Sequence, residues 1–374
     1  MIYLDYSATT PVLPEVLDSY VKVTTDYIGN ANSIHNLGVK SKELMLKASK
    51  QIASCLGCKF NELIYTSGSS ESNSTAIKGV AFKYKERGKH IITSYYEHKS
   101  VSETMKFLET KGFEISYIKL NENGEIDLKD LESLIREDTI LVSICAVNSE
   151  IGFKAPLKTI RQIINKKNPR VIFHSDMTQA LGKININLND VDLASMSSHK
   201  IYAPKGIGLL YKKSNLEIEP LIYGLTENCP FRGGTPALPL IVSFSKAIRI
   251  ATENLDNNYK HVAELNNILK EGLKNIPVHI NSNNLCVPHI FNLSLRKIKS
   301  ETFVRAIEKY GIYISTTTAC SSNEPSSILK HYISDKEIST TSIRISLSYM
   351  TTKKEIEEFI VSFIKTYNEL LLKE

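Results

Sequence analysis

The sequence is poor in the features that send a chain to a membrane, a fibre or a nucleic acid. No apolar run approaches the ~18 residues that a membrane span needs, and nothing resembling a secretory leader occupies residues 1–14. Low-complexity tracts and internal repeats are missing. The six cysteines among 374 residues form no dense framework, so they are read as reduced thiols of a cytoplasmic protein. Charge of one sign is scarce. The 46 Lys+Arg and 40 Asp+Glu leave a formal +6, and the lysines are scattered, which gives no ground for nucleic-acid binding. With 42% hydrophobic and 23% charged residues, a disordered chain, a collagen-like fibre and a coiled coil are excluded. The length suits about two to three domains with a sizeable core.

What is present is alternation. Residues 41–55 carry Leu44, Ala48, Ile52 and Cys55 on one face of an amphipathic helix. Apolar segments at 63–66, 90–93, 115–120, 139–147, 171–176 and 193–197 read as strands, several of them separated by helical stretches. This pattern predicts an α/β fold with a mostly parallel sheet covered on both faces, and ligands then bind beyond the carboxyl ends of the strands. After about Ser243 the texture changes to one long helical stretch, 245–276, then short strands near 289–295 and 343–347 and a last helix from about Thr352. We expect a large domain over 15–248 and a small α+β domain over 249–374 that also takes in 1–14.

Polar residues collect where those strands end. Ser197-Ser-His-Lys200 precedes a Gly-rich turn, and a lysine shielded there has a lowered pKa and can form a Schiff base. Asp176 ends another strand, where it fits either a helix cap or the partner of a pyridine nitrogen, with Gln179 close behind. Ser67-Gly-Ser-Ser70 sits at a strand-to-helix junction, which suits an anion as well as a cap. His98 follows a strand and could stack on a flat ring and move protons. The Cys55-x-x-Cys58 spacing lacks a second pair to complete four ligands, so no metal site is expected.

Together these segments resemble the cysteine desulfurases, pyridoxal 5'-phosphate (PLP) enzymes of fold type I in the class V aminotransferase superfamily. The resemblance runs in order through Tyr3-Leu-Asp-Tyr-Ser-Ala-Thr-Thr-Pro11, Tyr65-Thr-Ser-Gly68, Glu97-His98-Lys99, Asp176 with Gln179, Ser197-Ser-His-Lys200, Arg232-Gly-Gly-Thr235, Ala319-Cys320-Ser321 and Ser342-Ile-Arg-Ile-Ser346. It implies that Lys200 carries the cofactor and later acts as a base, and that His98 stacks on the ring and exchanges protons. Asp176 would pair with the ring nitrogen, Gln179 with the phenolic oxygen, and Ser69, Ser70, Ser197 and His199 with the phosphate. Thr235 would reach the phosphate of a neighbouring subunit, which requires a homodimer. Arg344 would hold the carboxylate of L-cysteine, and Cys320 would take the sulfur as a persulfide and pass it to an acceptor protein, for tRNA thiolation or iron–sulfur cluster assembly.

Some positions depart from the family pattern. Ser149 and Ser74 stand where the family usually has Asn, and Gly224-Leu-Thr-Glu-Asn228 replaces a Gly-rich run. These changes spare the cofactor side and fall on the substrate side, where Ser149 is expected to make a trimmed contact. They leave two other readings open: a selenocysteine lyase or β-lyase of the same fold, and a weakly active paralogue that acts as a binding partner.

Overall fold

In the computed structural model, residues 1–224, 230–316 and 328–372 are described. The chain opens with β1 (Ile2–Tyr3), then α1 (Pro14–Asp26) and α2 (Asn36–Leu56). His35 caps α2 by accepting from the Gly38 N–H, and Gly57 ends it in the left-handed region at φ +68°. The large sheet contains β2 (Leu63–Thr66), β3 (His90–Ser94), β4 (Glu114–Ile118), β5 (Thr139–Ser143), β6 (Ile172–Asp176), β7 (Leu193–Ser197) and β8 (Gly208–Lys212). Its order is β2-β8-β7-β6-β5-β3-β4. The run from β7 to β4 is parallel, and β8 is antiparallel to both of its neighbours.

The sheet is apolar on both faces, as a parallel sheet between two helical layers must be. Successive residues of each strand enter opposite cores: Ile91, Leu141, Ile172, Leu193 and Leu210 on one side, Ile92, Val142, Phe173, Ala194 and Leu209 on the other. The first core is closed by α3 (Ser69–Tyr84), through Ile77 and Val80, and by α4 (Lys99–Glu109), through Val101, Met105 and Leu108. The second takes Ile241, Phe244 and Ile248 from helix Leu238–Glu253. The parallel topology places the ends of β2, β3, β5, β6 and β7 along one edge, with Ser69 and Ser70, His98, Ser149, Asp176 and Lys200 following them.

A third core is built around a smaller antiparallel sheet: β9 (His279–Ile280), β10 (Ile290–Ser294), β12 (Ser315–Thr316) and β13 (Ser342–Ser346), in the order β12-β13-β10-β9. The last helix, Lys353–Leu371, begins in a capping box made by Thr352 and Glu355 and buries Phe359 and Phe363 in that core. β11 (Ile312–Tyr313) pairs in parallel with β1, so Ile2 and Leu4 also belong to this core. Among the described residues no helix is long and apolar enough to cross a membrane.

Two expectations need correction. The helical stretch at 245–276 is two helices, Leu238–Glu253 and Leu255–Leu273, broken at Asn254, which leaves helical geometry at φ −113° and ψ 17°. The periodicity carries across this break because both helices bury an apolar face, one in each of two cores. The strand expected at 139–147 ends at Ser143, and Ile144 to Val147 continue as buried irregular chain. Cys145 is fully buried there, just past the strand.

The edge of the sheet tolerates little extra bulk. A Cβ on Gly208 would lie 2.5 Å from the carbonyl carbon of Gly68 and 2.8 Å from the Met196 oxygen, so the turn before α3 rests directly on β8. We expect Gly208→Ala to lower the unfolding free energy by roughly 1–3 kcal/mol, read from urea unfolding; unchanged stability contradicts this packing.

Candidate active site

The site starts with an amine. Lys200 ends a one-turn 3-10 helix, Ser198–Lys200, that directly follows β7. Its Nζ donates to the carbonyl oxygens of Ser7 and Ala8, both at 2.6 Å. No carboxylate among the described residues stands within ion-pair distance of it. Burial, together with the charge of Arg344, brings its pKa down from the usual lysine value to about 8. The neighbouring backbone is constrained. Tyr202 adopts φ +66°, unusual for a bulky residue, and its N–H donates to Thr10 Oγ1 at 2.7 Å.

Asp176 closes β6 and is 6% exposed. Its Oδ1 accepts from the Thr178 N–H at 2.9 Å and its Oδ2 from Asn73 Nδ2 at 2.7 Å. It is held by neutral donors, and no described cation pairs with it. Thr178 and Gln179 lie in a turn rather than a helix, so of the two readings of Asp176 the helix cap falls away and an Asx-type turn takes its place. Glu97 lies behind it, and burial pushes that carboxyl up to about 8, with the charge of Asp176 adding to the effect.

The anion end is formed at the start of α3. Ser69 and Ser70 are its first two residues, Gly68 is the N-cap without a side-chain bond, and the free N–H groups there favour an anion. The Ser197 hydroxyl lies 3.9 Å from where a Cβ on Gly68 would stand. His199 makes a 3.1 Å bond from Nδ1 to Thr9 Oγ1, and burial with the charges of Lys200 and Lys205 holds its pKa near 4. Glu71, on the first turn of α3, forms a 2.9 Å ion pair with Arg232, which ties the segment carrying Thr235 to the helix. Thr235 itself is exposed.

His98 caps α4. Its Nδ1 accepts from the Ser100 N–H at 3.1 Å and stands 2.9 Å from Ser100 Oγ. Desolvation lowers its pKa, partly offset by the charge of Asp176. Arg344, on β13, reaches across to this edge from the third core. Its Nη2 pairs with Asp5 Oδ1 at 2.8 Å and its Nη1 donates to the backbone oxygen of Ser149 at 3.0 Å, while Nε is buried without a partner. Ser149 thus meets Arg344 through its carbonyl, not through the hydroxyl that replaces the usual Asn. Cys320 and Cys229 lie outside the described residues.

Several contributors were not legible in the sequence. Asp5, Ser7 and Ala8 join the site from the far end of the chain. Asn73 and Ser100 lie beneath it. Lys183 is 8% exposed and donates at 2.5 Å to Gln179 Oε1, whose amide nitrogen in turn donates to Ser7 O at 2.9 Å. A signal for Lys183 existed: it is the one charged residue in the apolar run Ala180-Leu-Gly-Lys-Ile184, four residues after Gln179.

These residues fit a phosphorylated pyridine aldehyde: a half-buried amine of lowered pKa, a carboxylate held by neutral donors, and a helix N-terminus. A lysine so placed at the carboxyl edge of a parallel sheet defines the class of fold-type-I PLP enzymes. Comparison with known proteins agrees. The aminotransferase class-V family model matches residues 2–359. The chain is 40% identical to the cysteine desulfurase IscS of Buchnera aphidicola (from Acyrthosiphon pisum), over 99% of this chain and 93% of that protein. It is 37% identical to the IscS of Neisseria meningitidis serogroup C, over 98% and 91%. A solved NifS-like protein superposes with TM-score 0.93 at 36% identity, covering 99% of both chains. The NifS-like protein of Rickettsia africae gives 0.89 at 30%, covering 98% of this chain and 99% of that one. The chain belongs to the class-V aminotransferase family and, within it, to the cysteine desulfurases. It is accordingly PLP-dependent.

Burial also sets a pH signature. Lys183 falls from 10.5 to about 7 on desolvation, with Lys200 and Arg344 adding to the effect. Between those two values the unfolded chain binds the proton that the folded chain has released, so stability rises with pH across that window and is lowered most at pH 7 and below. Lys183→Met removes the share of this slope that Lys183 contributes. Relative to the parent, the variant gains most at pH 7 and least near pH 10 in urea unfolding, and parallel stability curves would refute the assignment.

Proposed function

We propose that the chain converts L-cysteine to L-alanine and leaves the sulfur as a persulfide on Cys320, for transfer to an acceptor protein. The observation that carries this is Lys200, a desolvated amine with a pKa of about 8 between Asp176 and Arg344. PLP, when bound through Lys200, supplies an electron sink for the bonds at Cα and Cβ of the substrate. Asp176 would hold the ring nitrogen in its protonated form, and Gln179 would serve the phenolic oxygen. Ser69, Ser70, Ser197 and His199 would hold the phosphate, with Thr235 from a second subunit.

Arg344 binds the substrate carboxylate, a task for its planar fork, and shares its charge with Asp5 meanwhile. Lys200, with its lowered pKa, takes the proton from Cα, and His98 exchanges protons beside it. The Cys320 thiolate attacks the substrate sulfur: an S–S bond forms and the C–S bond breaks. The electron pair stays with carbon, which takes protons to become alanine. Cys58, Cys145 and Cys286 are poor candidates for that thiolate, since burial raises all three, Cys58 to about 12 and Cys286 to about 11.

The two-domain division, 15–248 against 249–374 with 1–14, accords with Ile2 and Leu4 lying in the third core; its cut falls within helix Leu238–Glu253. A homodimer is supported by exposed Thr235 and by apolar side chains left open along the start of the chain. Val21, Ile28 and Ile34 are 52%, 79% and 97% exposed. A cytoplasmic location and a role in tRNA thiolation or iron–sulfur assembly accord with relatives named IscS.

The deciding assay is product analysis with L-cysteine, with and without a reducing thiol. Alanine and sulfide in equal amounts are expected, and pyruvate in place of alanine marks a β-lyase. Cys320→Ala should bind cysteine, seen as a change in cofactor absorbance, yet release almost no sulfide; normal turnover rules out Cys320 as the acceptor. Arg344→Lys should raise KM for cysteine roughly 10–100-fold with a smaller change in kcat, and an unchanged KM removes Arg344 from the carboxylate site.

A further inference from the structure

Beneath the site a chain of hydrogen bonds joins Asp176 to His98, and its direction can be worked out from one end. Asp176 Oδ2 accepts at 2.7 Å, so the amide of Asn73 must turn its nitrogen toward it. That leaves Asn73 Oδ1 buried with no partner, a cost that the opposite amide orientation would shift onto the carboxylate itself. The same Nδ2 carries a second hydrogen, and it donates at 2.9 Å to Ser100 Oγ. With an acceptor site of the hydroxyl so engaged, its own proton is available to Nδ1 of His98, also at 2.9 Å. The Ser100 backbone N–H, which can only donate, points at that same nitrogen from 3.1 Å. Two donors converge on Nδ1, so the proton of neutral His98 resides on Nε2, which has no partner among the described residues.

We propose that Ser100 is a positioning residue that fixes neutral His98 as the Nε2–H tautomer, so that His98 meets the reacting atoms first as a hydrogen-bond donor. This rests on the reading of His98 as the group that exchanges protons beside Lys200. It goes beyond that reading by assigning the tautomer, the atom it presents and the residue that sets both. It also separates two duties between neighbouring groups: Lys200 takes the proton from Cα, and neutral His98 offers a hydrogen bond from Nε2. The Ser100 backbone is itself held, since its carbonyl accepts from Thr104 Oγ1 at 2.7 Å. The charged groups around the His98 ring are Asp176, from the end of β6, and Lys200 and Lys99; the first favours the imidazolium and the other two oppose it.

The test reads the tautomer directly. In the PLP-loaded enzyme labelled with 15N-histidine, the two ring nitrogens of His98 are assigned by loss of their signals in His98→Gln. Above its pKa, His98 of the parent should show an unprotonated Nδ1 and a protonated Nε2. Ser100→Ala should shift the ratio toward the Nδ1–H form by roughly fivefold, the worth of one lost hydrogen bond, and raise the pKa on which the acid limb of kcat depends. Ser100→Thr keeps the hydroxyl and should restore both. Asn73→Ala should move the ratio in the same direction, but add nothing in the Ser100→Ala background. A parent enzyme with His98 in the Nδ1–H form, or a Ser100→Ala enzyme with unaltered ratio and pH limb, overturns the proposal. Because the nitrogen signals need no turnover, failure here is distinguishable from failure of the desulfurase reading, which product analysis decides.

Discussion

Everything at this site depends on keeping one amine dry. Lys200 stands at the end of β7 with its Nζ on two backbone carbonyls, those of Ser7 and Ala8. Carbonyls satisfy the hydrogen-bonding needs of the amine without supplying the full negative charge that would keep it protonated, so desolvation wins and the pKa falls. A carboxylate in the same place would give a stable ion pair and an inert lysine. The segment around residues 7–13 therefore does more than cover the site. It also grips the turn behind Lys200: the Thr10 N–H and Oγ1 both donate to His199 O, Thr10 Oγ1 accepts from the Tyr202 N–H, and the Leu13 N–H donates to Tyr202 O.

The second constraint is the balance of like charges. The charges of Lys200 and Arg344 lower the affinity of Lys183 for its proton, and Arg344 lowers that of Lys200, with Asp5 and Asp176 as counterweights at Lys200. Their arrangement is uneven. Arg344 has a carboxylate partner in Asp5, Lys200 has only carbonyls, and Lys183 has only the amide oxygen of Gln179. The result is one fixed cation and two amines that can lose their charge near neutral pH. Glu97, raised by burial with the charge of Asp176 adding, is the matching case among the acids.

Much of this was legible in the sequence, for a physical reason. Residues that follow a strand inherit their position from the sheet, so Lys200, Asp176, His98 and the Ser69–Ser70 turn could be placed at one edge once the alternation was recognised. Helices with a single apolar stripe were equally plain. What escaped is everything set by contact between distant segments. Nothing local to Ser7 says that its carbonyl will meet an amine, and nothing local to Ser100 says that Asn73 will reach it from another helix. Arg344 was found by its motif, but its pairing with Asp5 was not, and the Ser149 contact proved to involve the backbone. The break at Asn254 was missed because the apolar period continues through it while the core being served changes.

The pairing of Asp5 with Arg344 joins residues 339 positions apart, and β1 meets β11 in the same way. The large sheet is complete by Lys212, so its core is available to fold while the chain is still being made. The reaction centre is not. During synthesis Ser7, Ala8 and Thr10 have their partners by Tyr202, but β1 must wait for β11, and Asp5 for Arg344 on β13. The order of translation thus separates the birth of the scaffold from the birth of the catalyst, and a nascent chain stays chemically silent until nearly its last strand has emerged.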